Sequence, residues 1–343
     1  MEKAIRKPDV VPVKRQKSLL RRFAFFLGMD SDYSTRLLEL VSRSFALCIP
    51  RLPAKVRLEV GNYYLLCRYL DSIEDSRLDR KHREKAFKRF LELLRSRDPA
   101  RLEKLNADVL PFVISENDRT MIAGFRPVLE EFASFDLKSQ RIAMRWIRVM
   151  ASGMNEFSRR EIRTFADLDK YCYYVAGTVG HYLTDIFAFK FGLERMREEL
   201  KERCLDFGLL LQKVNIIRDF SRDFKEGRVF WPRELFEAKG MTVAQVFAEE
   251  NSQKSQAILE EMVRDAKKHV EKSREYIRKI PSDLRGVREF CAIPLLMAIP
   301  TLEKCEKNPL VFDSSTKVKL SRVETVQIIS RIGALASKQD WPK

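Results

Sequence analysis

Apolar residues recur every three or four positions along most of the chain. In "VRLEVGNYYLLCRYLDSIEDS" (residues 56–76) they fall at 58, 65, 66, 69, 70 and 73, the spacing that lines one face of an α-helix. "QRIAMRWIRVMASGMNEF" (140–157), "CLDFGLLLQKVNIIRDFSRDF" (204–224) and "AILEEMVRDAKKHVEKSREYIRKI" (257–280) follow the same period. The first three are apolar around much of their circumference and predict inner helices of a bundle; the last is highly charged and predicts an outer one. Breaks fall where proline and glycine gather: "IPRLP" (49–53), "RDPA" (97–100), "VLPF" (109–112), "KEGRVFWP" (225–232) and "KIPSDL" (279–284). None reads as a flexible linker, and no repeat recurs. The pattern predicts a single all-α domain over residues 31–338, preceded by a basic arm, residues 1–30.

Composition supports helices. Only 12 glycines and 13 prolines occur among 343 residues, too few for a fold built on many tight turns. An excess of 65 Lys+Arg over 49 Asp+Glu, net +16, calls for an anionic partner without choosing its kind. No nucleic-acid reading motif is present, so none is expected as partner; the sequence does not identify protein partners. Cysteines 48, 67, 172, 204, 291 and 305 form no CxxC pair and read as reduced thiols of a cytoplasmic protein. Three scattered histidines (82, 181, 269) argue against zinc. The longest apolar run, "FCAIPLLMAIPTL" (290–302), is too short to cross a membrane. The arm carries Lys3, Arg6, Lys7, Lys14, Arg15, Lys17, Arg21 and Arg22, and "FAFFLGM" is a poor signal-peptide core. It reads either as a contact for anionic lipid headgroups, making the protein peripherally membrane-associated, or as a solvated tail.

Two acidic clusters interrupt the apolar pattern. Asp71, Glu74 and Asp75 share a helix face, as do Asp219 and Asp223. Each cluster alone reads equally as a solvated face balanced by nearby arginines. Together, each after a long apolar stretch and each with an arginine just before it (Arg68, Arg218), they predict a carboxylate-lined mouth on an apolar cavity. Hard carboxylate oxygens suit Mg²⁺ shared with substrate phosphates, and arginines suit bidentate phosphate binding.

"SRSF" (42–45), "YYLLCRYLDSIEDS" (63–76), "YCYYVAGTVG" (171–180), "LLQKVNIIRDFSRDFKEGRVFWP" (210–232) and "FCAIP" (290–294) resemble, in order, the signature blocks of the squalene and phytoene synthase family. The resemblance implies an isoprenoid synthase bundle around a central apolar cavity. It implies a prenyl transfer in which two farnesyl diphosphates join head to head through presqualene diphosphate, with NADPH reducing the product to squalene. By the same match, Asp71, Glu74, Asp75, Asp219 and Asp223 would hold Mg²⁺, and Tyr171 would stand at the reacting centre. Arg43, Arg68, Arg218 and Asn215 would bind diphosphate or cofactor phosphates. Lys317 and Lys319, in "VFDSSTKVKLSRVETV" (311–326), would lie over NADPH. Phe45, Tyr64, Tyr171, Tyr174 and Phe290 would shield a carbocation or simply pack in the core. Ala176, Gly177 and Gly180 would leave room for a prenyl chain or allow close helix packing.

The chain departs from the family pattern at Ser76 and Arg222, where acids are common, and at Leu295, where glutamine is. A C-terminal anchor known from eukaryotic relatives is missing, which suggests a bacterial-type enzyme or a chain lacking that part. Alternatives are a reductant-independent relative yielding presqualene diphosphate, dehydrosqualene or a phytoene-like product, and a non-catalytic membrane-associated assembly factor of the same fold. The second would be expected to have lost its aspartates.

Overall fold

The structure, a computed structural model, describes residues 33–42 and 44–335, with side chains through Ile332. Among these residues every regular element is helical. Helices α1 (Tyr33–Val41), α2 (Ala54–Glu74) and α3 (Arg80–Ser96) are followed, after shorter helices, by α4 (Leu137–Phe157), α5 (Phe165–Cys172) and α6 (Thr178–Phe191). Then come α7 (Arg197–Arg218), the short α8 (Phe220–Lys225), α9 (Ser252–Lys267), α10 (Val270–Lys279), α11 (Arg285–Cys305) and α12 (Arg322–Leu335). The basic arm lies outside the described residues.

Local chemistry sets several starts. The carboxylates of Asp79 and Asp136 accept backbone N–H groups at the first turns of α3 and α4. Thr164 and Asp167 cap one another's backbone at α5. Such caps satisfy donors that a helix start leaves unpaired.

Helix α7 is the hub: it packs against α6, α9, α10 and α11. That explains why it is apolar on several sides, burying Cys204, Leu209, Leu210, Val214, Ile216 and Ile217. Its contact with the α5–α6 region is close. A Cβ at Gly208 would stand 2.8 Å from the Ala176 backbone, and one at Gly180 would stand 2.6 Å from the Cys204 carbonyl oxygen. Of the two readings of "VAGTVG", close helix packing is the one observed at Gly180. Between α5 and α6, Tyr173–Gly177 form a π-helical turn, a distortion frequent at functional sites. One continuous apolar core runs from Leu37 to Ile332.

Three elements differ from the periodicity. The predicted helix over 257–280 is broken at Lys268 and His269, where the imidazole is drawn inward between Lys213 and Asp206. The stretch 204–224 breaks at Asp219 (φ −100°, ψ 9°), although the Asp223 N–H still donates to the Asp219 carbonyl at 3.0 Å. Helix α11 runs through Pro294 and Pro300; neighbouring helices hold it together where proline removes backbone bonds. No helix of the described residues is long and apolar enough to cross a membrane. All six cysteines are free and buried.

Candidate active site

The two acidic clusters lie at helix C-termini. Asp71 and Glu74 end α2 with Asp75 as its cap, and Asp219 caps α7. Helix dipoles make these ends negative, so carboxylates there are doubly unfavourable without cations. The fold then brings the ends together. Arg228, in the loop after α8, ion-pairs with Asp75 and also with Asp223 (3.1 Å) and Glu226 (2.6 Å). One guanidinium thus bridges carboxylates from both clusters.

Their neutralisation differs. Among the described residues, neither Asp71 nor Glu74 makes a side-chain hydrogen bond or ion pair. Burial pushes Asp71 up to about 7, with Arg68 opposing and Asp75 adding to the shift. Burial and the charges of Asp75 and Asp71 push Glu74 up to about 8. Asp219 is crowded by cations: Arg218 at 2.5 Å, Lys317 at 3.0 Å and Arg222 at 3.3 Å. Burial works to raise its pKa, but Arg218 and Lys317 hold it below the ordinary value. Burial raises Asp223 to about 6 against Arg228 and Arg222.

These donors fit a hard divalent cation. Arg228 ties Asp75 to Asp223, and among the described residues the half-buried Asp71 and Glu74 have no ion-pair partner, a costly arrangement for such acids unless a cation completes it. Among the described residues, ligand-like spacing of three such groups occurs at Asp169, Asp265 and His269, away from the mouth residues named above. There the Lys213 ammonium already sits among them, 2.5 Å from Asp169 and 2.9 Å from the His269 Nε2, and also paired with Asp265. Its demand for positive charge is met.

Around the mouth, Tyr171 stacks on Phe230 (ring centroids 4.9 Å) and meets Phe157 edge-on. Burial, then Glu74 and Asp75, keep its phenol protonated far above neutral pH. Phe45 and Tyr64 pack ring to ring at 4.8 Å and stay half-buried. Val179, Leu183, Leu211 and Leu296, from α6, α7 and α11, are likewise half-buried against the core. Asn215 is exposed one turn before Asp219.

Other expected residues stand elsewhere or are otherwise engaged. Arg68 donates both arms of its fork to Asp118, at 2.9 Å each. Asp118 went unnoticed in the sequence because fifty residues and no motif separate it from Arg68. Phe290 is buried edge-on to Phe187. Tyr174 packs onto α4, where a Cβ at Gly153 would fall 1.9 Å from its ring, and its hydroxyl donates to Glu156 (3.3 Å). Lys319 is exposed; Arg43 lies outside the described residues.

An all-helical bundle whose acidic helix ends meet over an apolar interior is the architecture of isoprenoid synthases. The sequence profile described as squalene/phytoene synthase matches residues 38–324, and the chain belongs to that family. Squalene synthase of Schizosaccharomyces pombe is 32% identical over 307 residues, covering 86% of this chain and 63% of that protein. The human squalene synthase is 31% identical over 294 residues, covering 85% of this chain and 68% of the human one. The matched region is thus about two thirds of the length of these relatives. A solved complex of TcSQS with a ligand superposes with a TM-score of 0.80 at 33% identity, covering 89% of this chain and 86% of that one.

Proposed function

We propose that this protein is a squalene synthase, a farnesyl-diphosphate farnesyltransferase that joins two farnesyl diphosphates through presqualene diphosphate and reduces the product with NADPH. The carrying observation is the Arg228 bridge between the two acidic clusters, with Asp71 and Glu74 left without ion-pair partners among the described residues and a basic loop reaching Asp219 through Lys317.

Asp71, Glu74, Asp75, Asp219 and Asp223 would hold Mg²⁺, which when bound neutralises charge on a leaving diphosphate. Arg218, Arg222 and Arg228 already crowd the same mouth and supply donors for diphosphate oxygens. Their preset positions stabilise developing negative charge without reorganisation. The half-buried rings of Phe45 and Tyr64 present π faces to an allylic cation and help keep water from it. Tyr171, kept protonated, is a neutral hydroxyl that orients groups at the mouth rather than a base. Lys317 and Lys319 would hold the phosphates of NADPH, which supplies hydride when bound. The enzyme works at the cytoplasmic surface of an anionic membrane, where its basic arm and hydrocarbon product both favour residence.

Product analysis by mass spectrometry tests this reading. With farnesyl diphosphate and Mg²⁺, NADPH should switch the product from presqualene diphosphate to squalene. The same hydrocarbon at the same rate without NADPH would assign the protein to the reductant-independent relatives instead.

A further inference from the structure

A groove of about 630 Å³ lies between the C-terminal end of α3 and the outward face of α4. Its rim carries Arg95, Arg97, Arg141, Arg145 and Arg148. No described carboxylate comes within ion-pair distance of any of them. Arg97 donates to Gln140, and Arg145 lies over the Trp146 ring; neither contact brings negative charge. Elsewhere most cationic clusters of this surface are interleaved with acids. Arginines at 141, 145 and 148 follow helical spacing, so they repel along one face of α4. Such a face is stabilised by an external anion.

The floor of the groove is apolar. Leu94 and Phe132 are buried beneath it, Met144 and Val149 are half-buried, and Leu137 at the edge is 65% exposed. A free phosphate or nucleotide would use the guanidiniums and leave this floor wet. A phosphate headgroup with an acyl chain behind it satisfies both parts.

We propose that this groove binds an anionic phospholipid and is the protein's docking surface on a bilayer. The groove is remote from the acidic mouth. Ser139, beside Gln140 of the groove, donates to Glu59 at 2.9 Å, and Glu59 lies roughly four turns before Glu74 on α2, on the order of 20 Å along the axis. Docking is therefore separable from catalysis and does not rest on the reaction proposed above.

The test is co-sedimentation of the full chain with vesicles of phosphatidylcholine, with or without phosphatidylglycerol. The wild type should prefer the anionic vesicles, and Arg95→Gln/Arg141→Gln/Arg148→Gln should weaken that binding on the order of a hundredfold. Met144→Ser/Val149→Ser should weaken it several-fold, to a degree salt does not change. Deleting residues 1–28 should leave the arginine-dependent part intact. Near-wild-type binding by the arginine variant overturns the proposal. So does equal competition by soluble glycerophosphoglycerol, the mark of a free-anion site, or by an acidic peptide, the mark of a protein partner. All variants should keep their thermal melts and make product from farnesyl diphosphate in detergent at the wild-type rate. A chain that docks but makes no squalene would refute the enzymatic reading alone.

Discussion

The two acidic clusters are chemically alike, yet Asp71 and Glu74 in one and Asp219 in the other are electrostatically opposite, with Asp223 raised to about 6 like the first pair. At the end of α2, Asp71 and Glu74 stand without ion-pair partners among the described residues, and burial pushes them up to about 7 and 8. At the end of α7, Asp219 is held below its ordinary value by Arg218 and Lys317. The difference lies in what can fold back. Lys317 comes from the loop before α12, and Arg218, Arg222 and Arg228 lie within ten residues of Asp219, whereas Arg68 is committed to Asp118. Among the described residues Asp71 and Glu74 lack an ion-pair partner, whereas Asp219 is shielded by Arg218, Arg222 and Lys317. Among the described residues, Arg228 is the cation that pairs with both clusters.

The strongest way to break this comparison is to remove one carboxylate from each side. Asp71→Asn and Asp219→Asn should each lower kcat/KM on the order of 10²–10³-fold or more, with unchanged circular dichroism. EDTA should mimic both reversibly. Near-normal turnover by either variant at saturating Mg²⁺ would show that its cluster is not part of the cation site.

The shielded side has its own probe. Lys317→Gln/Lys319→Gln should raise the NADPH concentration needed by about tenfold, a loss comparable to one charge-assisted contact. Presqualene diphosphate should accumulate while its formation slows less. An equal slowing of both halves would place Lys317 with the metal mouth alone.

A thermal measurement separates the two electrostatic states. Cation-free folded protein keeps protons on Asp71 and Glu74 up to about pH 7 and 8, whereas the unfolded chain releases them near about pH 4. Between those limits the folded state binds more protons, so these groups make stability fall as pH rises. Asp219 acts in the opposite sense, its stabilisation being lost only as pH drops below the ordinary carboxylate range. In EDTA, Tm should be lower at pH 8 than at pH 6 by on the order of a few degrees. Mg²⁺ should raise Tm more at pH 8 than at pH 6. A Mg²⁺ effect independent of pH would mean that these two carboxylates do not bind it.

The smallest effect concerns Asp118. Asp118→Asn frees the Arg68 fork to turn toward Asp71. Loss of the Asp118 charge, which raises Asp71, acts in the same direction, so the acidic limb of the pH–rate profile should move downward by a fraction of a unit, with kcat little changed; an unmoved limb would mean that neither Asp118 nor Arg68 tunes the group it reports.

Much of this was legible in the sequence because helical period, proline breaks and i,i+4 carboxylate pairs are local. The inner helices, the break at 225–232 and both acidic faces follow from spacing alone, since a helix fixes which residues share a face. Tertiary structure decided what spacing cannot carry. It set Arg228 against Asp75, 153 residues away, paired Arg68 with Asp118, and gave Lys317 to Asp219. It put Gly180 to work in close helix packing and ended α7 at Arg218, where continued periodicity suggested an unbroken helix. It also gathered arginines from α3 and α4 around one groove. In each case the partner was chosen by which helices pack on α7 and α2, and burial set how strongly the charges acted. Neither packing order nor burial is a property of any short stretch of chain.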